Sequence, residues 1–167
     1  GLINISTLKF SKRKKPIVPR MVYSNIGVNF RKKKTILITI ISMSKHKLGV
    51  CVPYRNREAH LNEFIPKVAK YLKSKDIDFQ MYFAHQDDDK LFNRGATKNI
   101  AAEWAFKEGC DYIVWHDIDM IPVDNGGADY SFPKEHPRHI ATKISQMDWK
   151  LKYHEYFGGA VLFSKEH

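Results

Sequence analysis

The stretch "YIVWHDIDMIP", residues 112–122, carries an apolar and aromatic run straight into two acids, Asp117 and Asp119, one residue apart. An apolar run of this length, bounded by charge, reads as a buried strand. On a strand, residues i and i+2 point to the same side. Two carboxylates held that way repel each other unless a cation or hydrogen-bond donors satisfy them. Two readings fit the pair: a strand ending in a solvated turn, and a metal-binding Asp-x-Asp at the mouth of a site.

Working outward, the chain alternates strands with helices. "KLGVCVPYR" (47–55) reads as a buried strand, and "IDFQMYFAHQ" (77–86) returns to strand character. Between them Leu61, Phe64, Ile65, Val68, Tyr71 and Leu72 recur at spacings that form one apolar helical face, with a bend expected at Pro66. A second helix is predicted over 96–108, with Ile100, Trp104 and Ala105 inward and Gly109 as its stop. Strand, helix, strand, helix, strand implies an α/β fold with a mostly parallel sheet. Ligands of such sheets bind beyond the carboxyl ends of the strands. Those ends read "PYRNR", "HQDDD" and "HDIDMIP", so charge collects where a site belongs.

Charge also divides the chain. Of its 28 lysines and arginines, 12 lie in residues 1–47 beside no acid, leaving 16 to face all 18 acids in the remainder. Residues 1–46 are therefore read as a basic tail, expected to be disordered, and residues 47–167 as the folded part. The tail's "TILITIISM" (35–43) is far shorter than the roughly 20 residues of a membrane span, although the basic residues ahead of it resemble a signal-peptide core. "NIS" at Asn4 matches a glycosylation acceptor, a triplet that arises easily by chance. A nucleic-acid partner is not expected, since the folded part is slightly acidic and has no RNA-type aromatic strand motif. Cys51 and Cys110 are too few for a disulfide framework and read as buried thiols. His116, His136, His139 and His154 lack a zinc spacing. Walker, dinucleotide and Gly-x-Ser-x-Gly motifs are absent.

Further motifs bracket the acid pair. "VPYRNRE" (52–58) ends the first strand with Arg55 and Arg57, which could fork onto phosphate oxygens or serve as surface ion-pair partners. "LFNRGATKN" (91–99) opens the second helix, where Arg94 and free backbone N–H groups suit an anion and Phe92 could stack a base; an ordinary helix start reads the same way. "HQDDDK" (85–90) lacks the ligand alternation and glycine of a calcium loop and reads as a solvated turn. "YFGGAVLFSKE" (156–166) is a strand opened by Gly158 and Gly159, either a close backbone approach to a ligand or a bulge.

Taken in order, "VPYRNRE", "FNRGATKNIA", "YIVWHDIDMIP" and "EYFGGAVLFSKEH" resemble the animal β-1,4-galactosyltransferases. "HDIDMIP" and its spacing to "YFGG" look most like the branch that galactosylates xylose on proteoglycan cores. The resemblance covers residues 47–167, and the basic tail finds no counterpart in it. It implies a nucleotide-diphospho-sugar transferase fold of GT-A type, with a Rossmann-like, mostly parallel sheet. It implies inverting, manganese-dependent transfer of galactose from UDP-galactose to a xylose- or N-acetylglucosamine-type glycan acceptor on protein or lipid. Pro53, Tyr54, Arg55 and Arg57 match the UDP-contacting motif, with Tyr54 in place of the more usual Phe. Phe92 and Arg94 match the uracil and diphosphate contacts. Asp117, Ile118 and Asp119 match the Asp-Val-Asp whose second acid binds manganese, which assigns the metal to Asp119. Gly158 and Gly159 match the glycines lining the sugar and acceptor pocket.

The family continues into a Trp-Gly-Trp-Gly segment with a Glu-Asp-Asp acid and then a histidine metal ligand. Residues 47–167 are accordingly expected to be the N-terminal, donor-binding part of a truncated transferase domain, inactive alone, with the catalytic acid beyond His167. The resemblance also implies a type II membrane protein of the Golgi lumen, anchored upstream of the domain. A non-catalytic nucleotide-sugar-binding or lectin-like module is the alternative.

Overall fold

The computed structural model describes residues 46–124, 127–151, 153 and 155–167. Residues 1–45 of the basic tail, with its apolar run and the Asn4 acceptor, and His154 lie outside the described residues. No helix among the described residues is long and apolar enough to cross a membrane.

The elements follow in the order β1 (Lys47–Tyr54), α1 (Glu58–Ser74), β2 (Asp78–His85), α2 (Arg94–Lys107), β3 (Tyr112–His116), β4 (Arg138–His139) and β5 (Ala160–Ser164). One sheet takes the order β2-β1-β3-β5-β4. Strands β2, β1 and β3 pair in parallel, whereas β5 runs antiparallel to both β3 and β4. Four of the five strands thus share one direction, and β5 alone opposes them.

Period-two alternation gives the parallel strands two buried faces. Leu48, Val50 and Val52 of β1, Phe79, Met81 and Phe83 of β2, and Tyr112 and Val114 of β3 meet Leu61, Phe64, Val68, Tyr71 and Leu72 of α1. Cys51, Tyr82, Ala84 and Ile113 meet Ala101, Ala102 and Ala105 of α2. Helix α1 runs through Pro66 as one 17-residue element. Pro66 is exposed, so the carbonyl deprived of its partner one turn earlier can reach water.

Helix α2 buries Ala105 as predicted, but the rest of its buried stripe differs from the predicted one. Thr97, Ala101, Ala102 and Ala105 are buried, whereas Ile100 and Trp104 are only half-buried at the margin. Small residues win the central stripe because the helix lies close to β1: a Cβ on Gly49 would stand 2.6 Å from Ala105 Cβ and 3.3 Å from Ile113 Cγ2. The helix ends as predicted, with Gly109 at φ 83°. The Gly109 N–H donates to Phe106 O at 3.2 Å and the Cys110 N–H to Ala105 O at 3.0 Å, a Schellman closure. Both cysteines are buried and unpaired, as expected, and burial pushes their thiols up.

The close approach of α2 matters because that helix carries Arg94 and its neighbours toward the strand ends. Gly49→Ala should force helix and sheet apart and cost about 1–3 kcal/mol. The cost will appear as a lower urea midpoint with an unchanged slope.

Candidate functional site

Strand β3 stops at His116, so Asp117, Ile118 and Asp119 occupy the turn after it, not the strand itself. The expected same-side strand geometry of the two acids is therefore replaced by a turn, with the Met120 N–H donating to Asp117 O at 3.1 Å. The arginine pair meets the same fate. Strand β1 ends at Tyr54, Asn56 takes a left-handed backbone (φ 49°), and Arg57 becomes the N-cap residue of α1. Asn tolerates that conformation better than most residues do, and this turn is what aims the arginines.

These ends converge on one cleft of roughly 380 Å³, lined by Pro53, Arg55, Asn56, Arg57, Phe92, Arg94, Asp117, Ile118 and Asp119. Eight of the predicted site residues thus come together. Three do not line the cleft. Tyr54 packs edge-on against His85, with ring centroids 5.1 Å apart. Gly158 and Gly159 lie behind the acids, where the Gly159 carbonyl accepts from the Asp117 N–H at 2.7 Å. Gly159 has φ 72°, and a Cβ there would stand 2.9 Å from Met120 Cε and 3.1 Å from Ala141 Cβ. A close approach within the protein explains this glycine.

Each wall of the cleft has its own support. Arg55 Nη1 donates to the Lys90 carbonyl, joining the β1 end to the loop before α2. That loop is organised by buried Gln86. Its Oε1 accepts from the Asn93 N–H at 2.7 Å, while its Nε2 donates to Asp88 Oδ1 and to Leu91 O. Asn93 then caps α2 by accepting from the Ala96 N–H at 2.9 Å. Asp88 is held below the usual carboxylate range, chiefly by Gln86. The solvated turn expected at 85–90 thus contains one buried organiser, which composition did not single out.

Asp117 is fixed on all sides. Its carboxylate faces Lys98 Nζ at 3.1 Å and Arg94 Nη1 at 3.7 Å, two cations one turn apart on α2. Its Oδ1 is sealed from solvent and finds no aligned hydrogen-bond donor, even with Lys98 so near. The contact is an ion pair and not an aligned hydrogen bond. Its carbonyl also accepts from His116 Nδ1 at 3.0 Å. A carbonyl can only accept, so Nδ1 carries the proton and Nε2 accepts from the Tyr130 hydroxyl at 2.7 Å. Tyr112 in turn donates to Tyr130 O at 2.9 Å. Tyr130 carries no local sequence signal, whereas Lys98 is findable as the residue one turn after Arg94.

Asp119 differs in kind. It is exposed and makes no ion pair among the described residues. It also lines a second cleft of roughly 440 Å³, bounded by His60, Met120, Tyr130, Lys143 and Trp149 among others. Among the described residues, no group of three or more His, Cys, Asp or Glu side chains could hold a metal ion. A free carboxylate beside arginines nevertheless fits a divalent cation whose other ligands come from a bound diphosphate and water.

Arginines, a helix start and an acid turn at the carboxyl ends of parallel strands make a place suited to an anionic, phosphate-bearing ligand. The family description "N-terminal region of glycosyl transferase group 7" matches residues 25–130, and the chain belongs to this family. The match begins inside the basic stretch, for which no counterpart in the family was expected. β-1,4-Galactosyltransferase 1 of Mus musculus is 34% identical over 126 residues, 74% of this chain and 31% of that protein. Xylosylprotein 4-β-galactosyltransferase of Caenorhabditis elegans is 35% identical over 125 residues, 74% of this chain and 42% of that protein. The chain thus spans well under half the length of these relatives. A solved structure of a Drosophila β-1,4-galactosyltransferase 7 mutant, in complex with manganese, UDP-Gal and xylobiose, superposes with a TM-score of 0.66. It is 31% identical, over 73% of this chain and 50% of that one.

His116 yields a pH prediction. Burial pushes its imidazole down to about 4 from the ordinary 6.5. Below 6.5 the unfolded chain takes up a proton that the folded chain refuses, so this contribution is complete above 6.5 and lost as pH falls toward 4. About 3 kcal/mol should disappear across that window. Urea melts of His116→Asn should lack this component, leaving only the slope that the carboxylates contribute.

Proposed function

We propose that this chain binds UDP-galactose in the arginine-lined cleft, as the donor-binding part of an enzyme that transfers galactose with inversion to a sugar acceptor. The observation that carries the reading is the convergence of Pro53, Arg55, Arg57, Phe92, Arg94, Asp117 and Asp119 on that one cleft. Arg55, Arg57 and Arg94 suit diphosphate oxygens, and half-exposed Phe92 suits the face of a base. Asp119 would hold manganese. When bound, the metal supplies Lewis-acid stabilisation of the charge that develops on departing UDP.

Asp119 stands at the wall shared by the two clefts, so a donor in the first would present its sugar toward the second. We assign the second cleft to the acceptor, a glycan of xylose or N-acetylglucosamine type on protein or lipid. The names of the relatives and the xylobiose in the solved structure support this assignment. A Golgi lumen location belongs to the same proposal and follows from the family resemblance alone.

The acceptor hydroxyl needs a general base within hydrogen-bond reach. The second cleft offers Glu63 and Asp119 as its acids. Glu63 is held below the usual carboxylate range, first by its hydrogen bond to Lys67, which makes it a poor base. Asp119 is committed to the metal in this reading.

Two measurements test the proposal. Asp119→Asn should abolish the manganese-dependent part of UDP binding in calorimetry, and unchanged manganese dependence would overturn the metal assignment. The 167-residue chain should bind UDP yet show no turnover of radiolabelled UDP-galactose with xyloside or N-acetylglucosamine acceptors. Loss of a positioned base costs on the order of 10²–10⁴ in rate. Turnover above background would mean that one of these acids serves as the base after all.

A further inference from the structure

We infer that Lys98 is a positioning residue: a built-in counter-ion that neutralises Asp117 and so lets the cleft accept a diphosphate before any metal arrives. The inference rests on the reading of the cleft as a nucleoside-diphosphate site. It concerns which acid faces the cation and what keeps the other from doing so.

Lys98 does not line the cleft. It lies behind Asp117, with its Nζ 3.1 Å from Oδ1 and with both side chains about four-fifths buried, at 18% and 19% exposure. The Asp117 main chain is tied to Gly159, Met120 and His116, which fixes where its side chain starts, and the carboxylate at the cleft wall is then held by Lys98 and Arg94. An aspartate so placed without a counter-ion would project negative charge onto the seat of a diphosphate, in surroundings that screen poorly. It would also compete with Asp119 for a divalent cation. Lys98 cancels that charge from behind, and Arg94 adds to it from the cleft side at 3.7 Å. The result is a division of labour between two acids that look equivalent in sequence. Asp117 is satisfied by the protein, and Asp119 is left for the metal.

A lysine acting only as packing would leave ligand charge preferences untouched, so the readout is the coupling between anion and cation. Calorimetry of UDP with the full chain, in chelator and without metal, should give measurable binding for the wild type. For Lys98→Gln, which keeps a donor toward Asp117 and no charge, that binding should be roughly ten-fold weaker. Manganese binding to the protein alone, followed by the electron paramagnetic resonance signal of the free ion, should be tighter in Lys98→Gln. Lys98→Arg should restore both values. Lys98→Met repeats the comparison with the chain length kept and the donor removed, should the Gln variant fold poorly. Unchanged metal-free UDP binding and unchanged manganese affinity in a folded neutral variant would overturn the role of Lys98. Absence of UDP binding by the wild type, with or without manganese, would instead overturn the reading of the cleft itself.

Discussion

The cleft depends on how firmly the chain is held just after β3. Asp117 is the junction: its N–H is bonded across to Gly159 at the start of β5, and its carbonyl accepts from Met120 and His116. Its carboxylate is held by two cations of α2. Three elements that share no local sequence therefore set one residue's position. Burying a carbonyl, an amide and a carboxylate together is costly unless each is satisfied. Here the partners are spread over β5, the turn and α2, so the site and the fold cannot be separated at this point. His116 shows the same economy, because its neutral tautomer is imposed by a carbonyl on one side and a tyrosine hydroxyl on the other.

The parallel half of the molecule was legible because its signals are local. Strands β1, β2 and β3 announce themselves as apolar runs, and α1 by its repeated spacing, since each buries a face that repeats within a few residues. The cleft was legible for a related reason: in such sheets charge at the carboxyl ends of strands must gather at one edge. What stayed hidden is non-local. Strand β4 has two residues and cannot carry a period, so only its pairing with β5 defines it. The antiparallel course of β5 depends on the chain between residues 117 and 159, whose described residues have little regular structure. The stripe of α2 departs from expectation at Ile100 and Trp104, because apolar spacing alone favours large residues while the close approach at Gly49 admits only small ones. Both i, i+2 pairs were placed on strands that had already ended, since a left-handed Asn56 and the turn at Asp117 leave no periodic trace.

The two clefts also show how one short motif can serve two surfaces. Asp119 borders both, whereas the arginines border only the first. The first wall is cationic and suits phosphate. The second mixes apolar side chains with charges of both signs, Glu63 and Asp119 against Lys67 and Lys143, and has no arginine in its lining. Among the described residues, Asp119 is the side chain common to both linings. The glycine pair contributes indirectly, because Gly159 allows β5 to pass close enough to Met120 and Ala141 to anchor the acid turn.

The Lys98–Asp117 pair is hard to explain as a stabilising device. Taking a lysine and an aspartate four-fifths out of water costs several kcal/mol per ion in desolvation, which their attraction roughly offsets at best. Oδ1 lacks even an aligned hydrogen bond, so the geometry falls short of what makes such pairs favourable. Apolar side chains of similar volume would fill the space at least as well. What they could not do is set the charge felt in the cleft. The pair's effect is therefore to be sought in which ligands the cleft prefers, because an electrostatic term too weak to hold a fold together is still large beside the few kcal/mol that separate one bound ion from another.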